Sequence, residues 1–301
     1  MQHGEVYDAD RSIAACTEAI RLNPEHVNAY FHRGVAWSKK GEYDKAIADY
    51  NEAIRLDPGL AIAFHKRGLN WYRKGEYDKA IEGQNEAIRL HPGYTSAHVN
   101  RGLSWNAVGE YAKAIVDYSE AIKRHPQSAD AYHNRGNSWV HLGKYRNAIA
   151  DYTQAIALAP QDPQSYNCRG IAWCRCGIYG RAIADYEEAL QRDPDSPLRH
   201  WVLGAMLAAC PKRRYRDGRR ALKLCAEASA LTDRKNADCL TWLAAAYAEL
   251  GDFEAAIAAQ KEALSIARED DDTEAMLCAQ RCYENGTAYR MEAAKWYHRF
   301  L

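Results

Sequence analysis

The sequence lacks an excess of charge, a long apolar run and an apolar leader. Forty basic and forty acidic side chains cancel over its 301 residues, so it lacks the broad electrostatic attraction that binding to nucleic acid or to an anionic membrane usually needs. No stretch approaches the roughly 18 apolar residues of a membrane span, and MQHGEVYDADR at the start has no apolar core of a secretory signal. We therefore expect a cytoplasmic protein with no membrane partner, and we do not expect nucleic acid as a partner.

The sequence also lacks the patterns of a disulfide framework, a metal site or a catalytic centre. Its nine cysteines follow no scaffold rhythm, which indicates reduced and mostly buried thiols. Cys174 and Cys176 would point away from each other on one helix, while Cys278 and Cys282 could share a face with only His298 as a conceivable further ligand. No glycine-rich phosphate loop and no nucleophile with a base partner is evident. We expect no metal, no cofactor and no catalytic residue.

The sequence does contain a regular internal repeat. The pentapeptide RGVAW begins at Arg33 and returns, with changes, at intervals of 34 positions from Arg67, Arg101, Arg135 and Arg169. Six of the nine prolines keep the same interval, at positions 24, 58, 92, 126, 160 and 194. Apolar or small residues three and four apart give each interval two amphipathic helices, with a glycine between them and a proline after the second. This period predicts an array of helix pairs and not two compact domains.

The repeated columns follow a family pattern. In the unit numbered from residue 27 to 60, the columns are Tyr30 at position 4, Arg33 at 7, Gly34 at 8, Trp37 at 11, Gly41 at 15, Tyr43 at 17, Ala46 at 20, Tyr50 at 24, Ala53 at 27 and Pro58 at 32. This pattern resembles the tetratricopeptide repeat over residues 27–194 without gaps, and again from Thr241. The second aromatic is Trp here, and Arg replaces the family's leucine. The resemblance implies an all-α, right-handed superhelical solenoid of stacked antiparallel helix pairs with a concave groove.

Some stretches depart from the regular period. KRRYRDGRR, from Lys212, could contact nucleic acid or an acidic protein, but the neutral remainder of the chain favours a solvated loop. The divisions that we expect are an incomplete first repeat at 1–26, five regular repeats at 27–194, a divergent repeat with this basic insertion at 195–236, a final repeat at 237–270 and C-terminal capping helices at 271–301.

The residues fixed in every repeat are expected to serve the stacking that every repeat shares. Gly34 and its equivalents should let two helices approach closely, and Trp37 and its equivalents should fill the gap beside it. The arginine column could bind anions, but an aspartate column at position 23 favours a ladder of internal ion pairs. Gly83 interrupts the aspartate column, so one arginine near it should lack a carboxylate partner.

The resemblance implies that ligands bind on the groove face of the first helices, where residues vary between repeats. Cations, amides and a few apolar side chains at these positions suit an extended peptide that is acidic or polar. Chaperone-binding members of the family hold a C-terminal carboxylate with lysine and asparagine side chains. This clamp is not reproduced here, because His133 stands where a lysine is expected and Cys168 where an asparagine is expected. Asn100 and Asn134 give only two steps of the asparagine ladder with which long arrays bind peptide backbones. The candidate groove residues are Lys39, His65, Lys66, Leu69, Tyr72, Arg73, Asn100, Asn106, His133, Asn134, Asn137, His141, Asn167 and Arg175.

The sequence thus predicts a non-enzymatic scaffold for protein–protein interaction, whose partner is a protein or peptide. One alternative is self-assembly into a homodimer or filament through the uncovered first repeat, since the first helix of that repeat is missing. Another is that the chain is the interaction arm of a larger enzyme.

Overall fold

The computed structural model describes residues 8–268 and 272–290. Over these residues the chain forms α-helices, one short 3-10 helix at Arg213–Tyr215 and no strand, so the all-α prediction is confirmed. The α-helices are α1 (Ala9–Leu22), α2 (Val27–Lys39), α3 (Tyr43–Leu56), α4 (Ala61–Arg73), α5 (Tyr77–Leu90), α6 (Thr95–Ala107), α7 (Tyr111–Arg124), α8 (Ala129–His141), α9 (Tyr145–Leu158), α10 (Pro163–Arg175), α11 (Tyr179–Arg192), α12 (Pro197–Ala209), α13 (Gly218–Leu231), α14 (Ala237–Glu249), α15 (Phe253–Ile266) and α16 (Thr273–Glu284).

The helices alternate between two kinds. We call the even-numbered helices from α2 to α14 first helices, and each has 13 residues. The odd-numbered helices from α1 to α15 are second helices, and each has 14 residues. A first helix and the following second helix make one repeat, as the 34-residue period predicts.

The turn between α2 and α3 shows why a glycine separates the two helices of a repeat. Gly41 has a φ of +78°, a left-handed conformation that is strained for a residue with a Cβ atom. In this conformation the Gly41 N–H donates to the Ser38 carbonyl at 3.1 Å, and the Glu42 N–H donates to the Trp37 carbonyl at 3.0 Å. These two bonds satisfy the last carbonyls of α2, and the chain reverses into α3.

A glycine in the first helix lets the paired helices approach closely, as predicted. A Cβ atom on Gly34 would lie 2.9 Å from Cε1 of Tyr50, and one on Gly102 would lie 2.7 Å from the same atom of Tyr118. Both tyrosines are almost completely buried, with 1% and 0% of their surface exposed. The tyrosine at position 24 of the repeat therefore occupies the space beside the glycine.

The prediction that tryptophan fills this space is wrong. Trp37, Trp71 and Trp105 are only half-buried, and a lysine of the following second helix covers each ring, with Lys45 Nζ 4.6 Å from the centre of the Trp37 ring. The indole lies toward the end of the helix pair, beside the turn, where its outer face is reached by solvent and by the lysine. The ammonium group and the ring then attract each other.

The chain divides into two compact units, residues 1–142 and 143–301, which we call unit 1 and unit 2. The division lies between α8 and α9, inside one of the predicted repeats. In unit 1, α2 contacts α4, α4 contacts α6 and α6 contacts α8. In unit 2, α12 is the most deeply buried helix, because every one of its residues from Arg199 to Ala209 is buried.

The ends of the two units differ in how much of their surface is covered. No residue of α1 is buried in the described part of the chain. In unit 2, α16 contributes Met276, Ala279 and Tyr283 to the apolar core beside α14 and α15. This helix corresponds to the first of the predicted capping helices, while the second falls outside the described residues except for its first residue.

Candidate functional site

Three of the fixed arginines make the internal ion pairs with aspartate that the sequence predicts. Each guanidinium binds the aspartate of the next second helix with two hydrogen bonds, a geometry that favours strong pairing. The Nη2–Oδ1 and Nε–Oδ2 distances are 2.7 and 2.9 Å for Arg33 and Asp49, 2.6 and 2.9 Å for Arg101 and Asp117, and 2.7 and 2.8 Å for Arg169 and Asp185.

The environment of the aspartates differs from one pair to another. Burial raises the pKa of Asp117, but hydrogen bonds from Arg101 and from His98, whose Nδ1 lies 3.3 Å away, outweigh burial and hold that pKa below its ordinary value. Asp185 has no such histidine among its interactions, and burial raises its pKa. The charge of Glu188 also raises the pKa of Asp185, so the two aspartates differ both in this histidine and in a nearby carboxylate.

The predicted interruption of the ladder is confirmed at Arg67. Its Nη1 donates to Asn51 Oδ1 at 2.7 Å, while its Nε is buried without a hydrogen-bond partner. A Cβ atom on Gly83 would lie 3.0 Å from Gly68 Cα, so α4 and α5 are too close here to admit an aspartate without a shift. Burial lowers the pKa of the Arg67 guanidinium, in the absence of a carboxylate at hydrogen-bond distance.

Most of the candidate groove residues are accessible on the first helices, and two are not. His65 is 4% exposed and its Nδ1 lies 2.9 Å from Oε1 of Gln84 in α5, while Asn167 is 1% exposed. His65 therefore packs between α4 and α5 and is removed from the candidate surface. Lys39, Arg73 and His141 are exposed. The half-buried candidates are Lys66, Leu69, Tyr72, Asn100, Asn106, His133, Asn134, Asn137 and Arg175.

The basic residues at position 13 rest on tyrosines of the preceding repeat. The guanidinium carbon of Arg73 lies 5.8 Å from the centre of the Tyr43 ring, and the His141 ring is stacked on that of Tyr111 at 4.3 Å. In unit 2 the Arg175 Nε donates to the Tyr145 hydroxyl at 2.8 Å. These contacts hold the cationic groups at defined places along the first helices.

Unit 2 contains a cavity of about 450 Å³ that the sequence analysis did not identify. It lies at the N-terminal ends of three successive first helices, α10, α12 and α14. Positions 2 and 5 of these repeats supply much of its wall, and the column at position 2 was the signal that could have revealed it. The lining includes Gln164, Asn167, Leu198, Trp201, Thr232 and Asp238.

An asparagine amide lies unsatisfied in this cavity. Asn167 Oδ1 is buried and has no hydrogen-bond partner. Gln164 is held differently, because its Oε1 accepts a hydrogen bond of 2.9 Å from Arg199 Nη2. A buried amide oxygen without a partner costs free energy in the folded protein.

The basic run after Lys212 is partly anchored. Arg213 and Arg214 are exposed, as expected of a solvated loop. Arg216 Nε lies 3.3 Å from a carboxylate oxygen of Glu249, and Arg220 Nη1 donates to Glu187 at 2.6 Å. The second half of the run therefore binds the helices around it.

The cysteines do not form a metal site in the described residues. No group of three His, Cys, Asp or Glu side chains there is placed to hold one ion, and His298 lies outside those residues. Cys168 is buried, and burial raises the pKa of its thiol to about 12.

None of the helices within 8–268 and 272–290 has both the length and the apolar run needed to cross a bilayer.

Solved structures of repeat proteins resemble the chain. MamA is 25% identical, with a TM-score of 0.54, over 57% of this chain and 94% of that one. YrrB, a TPR protein with an unusual peptide-binding site, is 20% identical, with a TM-score of 0.55, over 62% of this chain and 96% of its own. A tetratricopeptide repeat protein from Parabacteroides merdae is 16% identical over 86% of this chain and 99% of its own, with a TM-score of 0.59. The curated proteins contain no match.

Models of the tetratricopeptide repeat match several parts of the sequence. The matched residues are 27–60 and 129–162 for one model of the tetratricopeptide repeat, 106–140 for a model of the TPR repeat, and 163–196 and 237–270 for two further models of the tetratricopeptide repeat. Together they cover just over half of the chain, and all but the match at 106–140 coincide with a first helix and the second helix that follows it. The chain therefore belongs to the tetratricopeptide repeat family, whose fold serves as a scaffold for protein interaction.

Proposed function

We propose that the chain binds an extended acidic or polar peptide segment along its first helices, without catalysing a reaction. The observation that carries this proposal is that fixed and variable residues of a repeat make different contacts. Fixed residues contact other residues of the array, since arginine pairs with aspartate and glycine packs against tyrosine. The accessible first-helix residues are those that vary from repeat to repeat, and variation is what recognition of one particular segment requires.

The charge of the accessible residues in unit 1 supports the choice of ligand. Lys39 and Arg73 are exposed and Lys66 is half-buried, and all three lie on first helices. Half-buried amides at Asn100 and Asn134 occupy the same position of two successive first helices. Cations attract acidic side chains, and amides can donate to and accept from a peptide backbone.

A charge-reversal experiment tests this proposal. Peptides selected from a random display library on the full chain would be titrated against Lys66→Glu/Arg73→Glu, and we expect affinity to fall about tenfold or more because two attractions become repulsions. The matched control is Arg89→Glu/Lys123→Glu, which makes the same charge change on exposed positions of second helices in unit 1. Equal affinity of the test variant and the wild type would refute the cationic surface.

Self-association is the second candidate, and α1 is the observation that favours it. None of its residues is buried, and Leu22 at its end is 70% exposed. A second copy could cover this helix and bury its apolar side chains. Light scattering over a hundredfold range of concentration separates the candidates, because a mass that stays at one chain throughout removes self-association.

A further inference from the structure

The cavity of unit 2 differs in charge from the basic first-helix surface of unit 1. Asp238 is the one ionisable residue in its lining, and the rest of the wall is amide, hydroxyl or apolar. Asp238 lies in the first turn of α14, where the helix dipole favours its ionised form. The lining therefore carries a negative charge where unit 1 offers positive ones.

A nearby arginine does not reverse this charge. Arg199 donates through Nη2 to Gln164, and its Nε lies 3.7 Å from an oxygen of Asp193. A carboxylate close to this guanidinium offsets its field. Asp238 can still accept from a ligand, because a carboxylate has about four acceptor positions.

The apolar part of the lining fits the stem of a long side chain. Leu198 and Trp201 come from α12, and both line the cavity. Lysine and arginine bury their methylene groups against such surfaces while their charged heads reach a polar partner, and a cation is also attracted to an indole face. A cavity of about 450 Å³ has room for one such side chain and part of the backbone that carries it.

We propose that this cavity binds a lysine or arginine side chain of a peptide, with Asp238 accepting from its charged head and Leu198 and Trp201 contacting its stem. The inference rests on the proposed function and adds a specificity to it: the segment bound by unit 2 contains a basic residue, although unit 1 favours acidic ones.

The test uses three pools of acetylated, amidated heptapeptides on the full chain. The central residue is arginine, glutamate or leucine, the other positions are randomised, and binding is followed by fluorescence anisotropy. We expect the arginine pool to bind more tightly than the leucine pool, and Asp238→Asn to weaken the arginine pool about tenfold, because one charged hydrogen bond is lost, while leaving the leucine and glutamate pools unchanged. The control Glu254→Gln removes an exposed acid from the first turn of α15 in the same repeat and should change no pool.

The outcomes that overturn this proposal differ from those that overturn the proposed function. Binding of the arginine pool no tighter than that of the leucine pool, or no response of the arginine pool to Asp238→Asn, would each overturn the assignment of the cavity. The proposed function would still be decided by the charge-reversal variants of unit 1, which do not touch the cavity.

Discussion

The series of arginine–aspartate pairs is interrupted at Arg67, which therefore serves as a natural control for the contribution of one such pair to the free energy of unfolding. Arg101 and Arg67 occupy the same position in adjacent repeats of unit 1, but only Arg101 has a carboxylate partner. Replacing either with methionine keeps most of the side-chain stem and removes the charge. We expect the two substitutions to change stability by very different amounts.

The magnitude follows from what each substitution leaves behind. Arg101→Met leaves Asp117 charged and only 3% exposed, with His98 as its remaining side-chain partner, so we expect a loss of about 3 kcal/mol or more. Arg67→Met removes one hydrogen bond to Asn51, worth about 1 kcal/mol, and also removes a partly buried charge that has no carboxylate, so the net change should be within about 1 kcal/mol of zero.

Urea denaturation followed by circular dichroism measures the difference. Both residues lie in the same compact unit, so the midpoints of that unit's transition can be compared directly even if unit 2 unfolds separately. Arg101→Met should shift the midpoint clearly to lower urea, while Arg67→Met should leave it almost in place. Equal shifts would refute the argument that the carboxylate partner decides the cost.

Three further predictions concern the same repeats. Gly102→Ala should destabilise unit 1 by about 1–3 kcal/mol in the same assay, because its Cβ atom would lie 2.7 Å from the buried ring of Tyr118. Gly41→Ala should cost about 1–2 kcal/mol through its positive φ alone, since nothing lies within 4 Å of the added atom; no change would contradict a left-handed turn there. The pKa of Asp117 is lower in the folded chain than its ordinary value, so the stability that its charge contributes is present above the unfolded pKa and is lost as the pH falls through the folded one. The stability difference between wild type and Asp117→Asn should therefore shrink as the pH falls below about 5, and a constant difference would argue against the paired carboxylate.

Much of the fold follows from residues that return every 34 positions. Gly41 marks a left-handed turn, Gly34 a close approach of helices and Arg33 an ion pair with Asp49, and each role can be predicted because the same residue recurs where the same contact must form. Tryptophan was assigned the wrong place, since its size suggests a core position but does not say which side of the helix pair it reaches. The buried space beside Gly34 belongs to Tyr50.

The candidate site could be predicted less well. Helical spacing places His65 on a first helix, and the period places Gln84 where the other regular repeats have tyrosine. Spacing does not show that Gln84 offers the imidazole a partner inside the repeat. The cavity of unit 2 was missed because its wall comes from three repeats, and spacing along the chain does not show how much room Trp201 and Asp238 leave between them.

The sequence by itself determined the repeating helix pair, its turns and the pairing of fixed charges, because these depend on contacts within one repeat or between neighbours, which recur with the period. Only the tertiary structure decided which variable side chains are accessible and where a cavity forms. Those features depend on how much space neighbouring side chains leave, as at Asn167, whose amide is buried between repeats yet has no partner for its oxygen. A pattern along the chain carries no measure of that space.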